Sequence, residues 1–164
     1  MKILYLVRHA KSSWKNPNLK DIDRPLNKRG ERDAPLIGEK LVEKAIDTEL
    51  IITSPAKRTQ ETTGTIARRI GYPEEKILVK KKIYLASANE LLGQINRLDE
   101  NLNSVMIFGH NPGLTNLNNL LTDRFIQNIP TCGVVAIQFN LSWDKIEAGS
   151  GKSLFFIYPK MYLK

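Results

Sequence analysis

The sequence predicts a three-layer α/β/α domain over residues 1–164, built on a mainly parallel sheet of about six strands whose last two can pair as an antiparallel edge hairpin. Three observations lead there. Short runs of branched apolar residues recur along the whole chain. Amphipathic helical patterns separate the first four of them. Several of the runs stop abruptly at polar segments carrying glycine or proline, and no repeat, low-complexity tract or linker divides the chain.

Lys2–Val7 opens the series. Ile3, Leu4, Leu6 and Val7 make it apolar on both faces, as a parallel strand covered by helices must be. It halts at Arg8-His9, followed by Ala10, Lys11, Ser12 and Ser13. Ala34, Ile37, Leu41 and Ala45 then recur at helical spacing. Pro35 inside that pattern removes one backbone hydrogen bond and predicts a kink or a late helix start. Glu49–Thr53 is the second strand. The helix after it, Ala56–Ile70, has Ser54 as N-cap, Pro55 at the first helical position and Gly71 as its stop. Lys76–Val79 is the third strand, Leu91, Leu92, Ile95 and Leu98 mark the third helix, and Ser104–Phe108 and Pro112–Leu121 are the fourth strand and helix. Val134–Leu141 and Ser153–Tyr158, joined by a polar turn at Asp144–Gly151, complete the set.

Composition narrows the function classes. With 41% hydrophobic and 26% charged residues, the chain reads as one globular domain with a real core. No apolar run approaches a membrane span, the N-terminus lacks the pattern of a signal peptide, and the single cysteine, Cys132, suits a reducing compartment. The expected location is cytoplasmic. Net charge is +8, from 25 Lys and Arg against 17 acids, but it is scattered through Lys28-Arg29, Arg68-Arg69, Lys80 to Lys82 and Lys160. No basic helix interleaved with aromatics occurs, so no dedicated nucleic-acid surface is expected. The field would still concentrate anionic partners.

Three strand ends carry chemistry. The first is Arg8-His9. The second leads into Ser54-Pro55-Ala56-Lys57-Arg58, where a helix N-terminus with an arginine in its first turn makes an anion site. The third, Gly109-His110-Asn111-Pro112, repeats the arrangement. Arginine grips phosphate oxygens in bidentate fashion, imidazole adds donors, and a histidine among such groups can attack phosphorus. Taken singly, Arg58 reads as a surface arginine and His110 as a structural histidine; together at neighbouring strand ends they favour phosphate. Zinc would want a third ligand and few arginines nearby, and Arg8 repels a dication, so neither metal nor cofactor is expected.

These motifs resemble the histidine phosphatase superfamily. Arg8-His9-Ala10 matches its nucleophile motif, Ser54-Pro55-Ala56-Lys57-Arg58 through Thr62 its second-arginine segment, and Gly109-His110-Asn111-Pro112 its second histidine. The pattern is similar to the small phosphohistidine phosphatase branch, the SixA-like proteins, in Arg8 to Ser12, in Asp21-Ile22-Asp23-Arg24-Pro25-Leu26 with Arg29-Gly30, and in Gly109 to Gly113. The resemblance implies a phosphoglycerate mutase-like fold and a phosphate pocket of Arg8, His9, Arg58 and His110, with His9 phosphorylated during turnover. It places Ser12, Arg24 and Thr131 near the phosphate, although Arg24 could equally pair with Asp21 or Asp23 and Thr131 begin a strand. Where relatives continue Trp-Asn, this chain has Trp14-Lys15-Asn16, which leaves an asparagine contact open. Glu90 is the candidate proton donor, but Ser87-Ala88-Asn89-Glu90 is also a capping box, and that structural role is the favoured one.

The resemblance implies a metal-independent phosphatase. The expected substrate is a protein phosphohistidine, because no insertion between Leu26 and Tyr84 is long enough to form a lid. A phosphorylated metabolite is the alternative substrate, and a non-catalytic phosphate-binding module the alternative class.

Overall fold

A computed structural model describes residues 1–163. The chain order is β1 (Lys2–Arg8), α1 (Lys28–Glu43), β2 (Leu50–Thr53), α2 (Lys57–Ile70), β3 (Leu78–Val79), α3 (Ala88–Asn96), β4 (Ser104–Gly109), α4 (Gly113–Leu121), β5 (Val134–Phe139) and β6 (Lys152–Ile157). The six strands form one sheet ordered β3-β2-β4-β1-β5-β6. β3, β2, β4 and β1 are parallel, while β5 runs antiparallel to β1 and β6 antiparallel to β5. The expected parallel sheet with an antiparallel edge pair is the one observed.

Alternation along the strands explains the layers. Leu4 and Leu6 of β1 join Val105 and Ile107 of β4 in a core closed by Leu91 and Ile95 of α3 and Leu114, Leu117 and Leu121 of α4. Tyr5 and Val7 face the other way with Met106 and Phe108, under Ile37 and Leu41 of α1 and Ile66 and Ala67 of α2. Successive side chains point to opposite faces, so strands apolar throughout need both faces covered. α1 and α2 approach closely at Gly38, where a Cβ would stand 2.8 Å from the Arg69 Cβ.

Several boundaries differ from the sequence expectation. α1 does not start late: it begins at Lys28, capped by the Asn27 side chain accepting the Gly30 N–H at 2.9 Å, and runs on through Pro35. It ends before Ala45, which has a left-handed φ of 55°. β3 is two residues long because Glu74–Lys76 forms a 3₁₀ turn. α2 ends at Gly71, whose φ of 79° is the left-handed stop that glycine accommodates. α3 opens on the anticipated capping box of Ser87 and Glu90.

The β5–β6 connection is less polar than it reads. Trp143 is fully buried, its indole N–H donating to the Leu102 carbonyl at 2.8 Å, and Ile146 is buried beside it. The surrounding charges had hidden an anchor that fixes the hairpin to the α3–α4 face. Trp143→Ala should therefore cost about 3–5 kcal/mol, as large-to-small changes at aromatic core sites do. Urea unfolding should show it as a lowered midpoint at unchanged slope; a loss below about 1 kcal/mol would mean the connection merely drapes over the core.

Candidate active site

Strand order decides where the chemistry collects. β2, β4 and β1 are parallel neighbours, so three carboxyl ends open at one edge, where sheets of this kind bind ligands. Arg8 pairs in register with Gly109, and the His9 N–H extends the ladder to the Gly109 carbonyl at 3.2 Å. His9 and His110 thus leave adjacent strands side by side, with ring centroids 5.3 Å apart. On the other flank the Ser54 N–H reaches the Phe108 carbonyl at 3.1 Å. α2 begins just beyond, and Arg58 in its first turn reaches back to both rings.

The His9 ring is oriented by its own neighbour. Its Nδ1–H donates to the Ala10 carbonyl at 2.7 Å. A carbonyl can only accept, so the proton sits on Nδ1 and the Nε2 lone pair faces the pocket. Burial pushes the His9 pKa down to about 4; the Ala10 bond opposes this, and the charges of Arg58, Arg8 and Arg24 add to it. His110 is pushed down to about 3 by burial, by His9 and by Arg58. Both rings are neutral at physiological pH. His110 Nε2 lies 2.7 Å from Ser54 Oγ, which also accepts the Ala56 N–H at 3.1 Å.

Arg58 joins the parts. Its Nε–H points at His9 Nε2 at 3.4 Å, and Nη2 lies 3.4 Å from His110 Nδ1. On the far side Nη1 donates to the Asp21 carbonyl at 2.8 Å and Nη2 to Asp21 Oδ2 at 3.1 Å. The Arg58 to Thr62 spacing is one helical turn. The Thr62 hydroxyl donates to the Arg58 carbonyl at 2.8 Å and accepts the Ala10 N–H at 3.0 Å, tying the helix to the loop after β1. Arg8 donates from Nη1 to the Ile129 carbonyl at 2.8 Å, while its buried Nε–H has no partner among the described residues. Asn111 holds that same Ile129 carbonyl at 2.9 Å, and its Oδ1 accepts from Thr115. Gly113 lets α4 come close, since a Cβ there would stand 1.9 Å from the Ala86 carbonyl oxygen.

The remaining candidates divide. Arg24 pairs with Asp21 Oδ1 at 2.9 Å, donates to Ser12 Oγ and stacks 3.3 Å over the Trp14 ring. Ser12 thus meets Arg24, and Arg24 meets the carboxylate that also holds Arg58. Thr131 Oγ1 accepts from Arg29 at 3.4 Å and makes no side-chain hydrogen bond to Arg8, His9, Arg58 or His110. Lys15 and Asn16 are exposed, and Asn16 Oδ1 accepts the Asn18 N–H. Glu90 is also exposed: its carboxylate accepts the Ser87 N–H at 3.0 Å, and its pKa is lowered chiefly by the Ser87 backbone bond. It lines a shallow depression with Lys82, Gly93, Gln94 and Arg97. Ser54 corrects the sequence reading, because α2 starts at Lys57 with Ala56 as N-cap and Ser54 contacts His110 instead.

Sequence reasoning does not place Asp21 and Tyr84 at the pocket, where the structure brings them together. The Tyr84 hydroxyl donates to Asp21 Oδ2, and its ring stands edge-on to His110 with centroids 5.4 Å apart. The available signal was Asp21 in the same short loop as Arg24.

Comparison with known proteins agrees with this geometry. Residues 4–80 match the model of the histidine phosphatase superfamily (branch 1). An uncharacterised chloroplastic protein of Arabidopsis thaliana is 32% identical over 159 residues, covering 90% of this chain and 72% of that one. The SixA structure from Agrobacterium tumefaciens has a TM-score of 0.80 at 27% identity, covering 96% of this chain and 98% of that one. The structure of the protein histidine phosphatase SixA complexed with tungstate has a TM-score of 0.85 at 17% identity, over 98% and 99% of the two chains. A mycobacterial glucosyl-3-phosphoglycerate phosphatase shares the fold at a TM-score of 0.70 and 13% identity, over 93% and 97%.

The two depressed histidines make a prediction with a definite sign. Unfolding returns each ring to an ordinary value near 6.5, so the unfolded chain binds more protons between about 6.5 and the folded values. Stability should hold above about pH 6.5 and fall as pH drops toward 4, by up to roughly 1.4 kcal/mol per pH unit for each ring. The chain has two histidines in all, so both imidazole NMR signals can be followed directly. Neither should titrate between pH 8 and 5; a midpoint near 6.5 for either would show a solvated ring.

Proposed function

The chain belongs to the histidine phosphatase superfamily, and from that premise we propose that it hydrolyses phosphohistidine on a protein through a phosphoryl group carried transiently on His9. The observation that carries this reading is His9 itself: neutral, its Nδ1–H engaged by Ala10, its Nε2 aimed into a pocket lined by arginines.

His9 Nε2 attacks phosphorus in line with the departing group, and the phosphoryl oxygens are received by Arg8, Arg58 and the N-terminal turn of α2. Phosphoryl transfer needs positioning and fixed positive charge more than covalent assistance. Arg58 Nη2 can only donate, so His110 Nδ1 accepts from it and the His110 Nε2–H donates to Ser54 Oγ, which also takes the Ala56 N–H. Held this way, His110 helps aim the Arg58 guanidinium at the phosphoryl group. Water attacks the phospho-His9 intermediate, the Nε2–P bond breaks, and phosphate leaves. The two guanidinium groups supply the charge that a metal ion would otherwise bring.

Two features support a protein substrate. Between Leu26 and Tyr84 the chain holds α1, β2, α2, β3 and short turns such as Lys81–Ile83, with no insertion long enough to form a lid. The SixA neighbours carry that activity in their names. Among the described residues no protonated carboxyl group stands at the pocket, which an imidazole leaving group tolerates better than an alkoxide does.

A panel test separates the substrates. A phosphohistidine peptide should be hydrolysed with kcat/KM at least tenfold above sugar and nucleotide phosphates, and EDTA should leave the rate intact. Arg58→Ala should lower kcat by about 10²–10³, the usual cost of removing one such charge-stabilising donor. Preference for one sugar phosphate would make this a metabolite phosphatase, and a loss to EDTA restored by zinc or magnesium would reinstate a metal.

A further inference from the structure

We propose that the Asp21 carboxylate, presented with the Tyr84 hydroxyl at the rim of the pocket, accepts the N–H of the departing imidazole and so selects nitrogen-linked over oxygen-linked phosphoryl substrates. The inference rests on the phosphohistidine reading above and names the residue that would enforce it.

Asp21 lies in the 3₁₀ turn Asp21–Asp23 between β1 and α1, its side chain 42% exposed. The carboxylate is one guanidinium away from both imidazoles, since the same Arg58 Nη2 that it binds at 3.1 Å stands 3.4 Å from His110 Nδ1. Oδ2 also accepts from Tyr84, and Oδ1 from Arg24. An anion is an odd fixture here. It repels the dianion of an oxygen-linked monoester, and the Asp21 backbone carbonyl, which accepts Arg58 Nη1 at 2.8 Å, already holds the arginine. Nor can it serve as an acid. Burial alone would raise its pKa, but the Tyr84 hydrogen bond and the charge of Arg58 outweigh burial and lower it. The group is ionised at neutral pH and can only accept.

A phosphohistidine ring offers the matching partner. With phosphorus on one nitrogen and a proton on the other, the ring is cationic and carries an N–H. As His9 Nε2 forms its bond to phosphorus, the P–N bond of the substrate breaks and its electron pair stays on the leaving ring. That ring departs neutral, with its proton still on the far nitrogen. No proton transfer is needed; an acceptor that keeps the far nitrogen protonated is. The Ala10 carbonyl does this for His9, and Asp21 does it for the substrate, so the phosphoryl group passes between two similarly held imidazoles.

Asp21→Asn keeps the shape and removes the charge. The ratio of kcat/KM for a phosphohistidine peptide over p-nitrophenyl phosphate should fall at least tenfold. A loss through Arg58 alone would lower both substrates in proportion and overturn the proposal, as would an unchanged ratio. A second measurement uses the unaltered protein. Phosphoimidazole should be hydrolysed at least tenfold faster than its N-methyl derivative, which has no N–H to donate, once each rate is divided by its spontaneous rate. Equal rates would also overturn the assignment. If the protein hydrolyses p-nitrophenyl phosphate but not the phosphohistidine peptide, the substrate reading itself fails and takes Asp21 with it. Hydrolysis of the peptide with no change in either comparison leaves that reading standing and removes Asp21 alone.

Discussion

The Arg58 guanidinium is the point at which the three strand ends become one site. One edge faces His9 Nε2 and His110 Nδ1, and the other is held by the Asp21 carbonyl and carboxylate. Only 4% of the residue is exposed, so its charge acts in a poorly screened environment. That charge helps keep both rings neutral and would stabilise a phosphoryl group between them. Thr62 carries the coupling to the Ala10 loop, so the same helical turn that supplies the cation also holds the loop that carries His9.

The arrangement follows from sheet topology more than from any single contact. Placing β4 between β1 and β2 brings His110 between the residues that follow the other two strands. The antiparallel pair β5 and β6 closes the far side, and the segment leading into β5 returns to the edge, where the Cys132 N–H meets the Arg8 and His9 carbonyls. Each histidine then needs one local partner to define its free nitrogen: Ala10 for His9 and Ser54 for His110.

Much of this was legible in the sequence, and the failures have physical reasons. Strands apolar on both faces with helical patterns between them gave the architecture, and the polar stops at Arg8-His9 and Gly109-His110 marked the functional edge. Ser54 reads as an N-cap because a serine before a proline is also an ordinary helix start; only the adjacency of β2 and β4 shows that it meets His110. Asp21 and Tyr84 are far apart in sequence, and no local pattern announces their contact across the pocket rim. Trp143 sits among charged residues in a connection with no period to betray its inward side. Local chemistry is readable from spacing, whereas contacts made by loops folding over a sheet edge are not.

The central claim is that His9 becomes covalently phosphorylated, and trapping that species tests it most directly. Rapid quenching during turnover, followed by peptide mapping, should find one phosphoryl group on His9, labile in acid and stable in alkali, and none in His9→Ala. A label on His110, or full turnover by His9→Ala, would contradict the account.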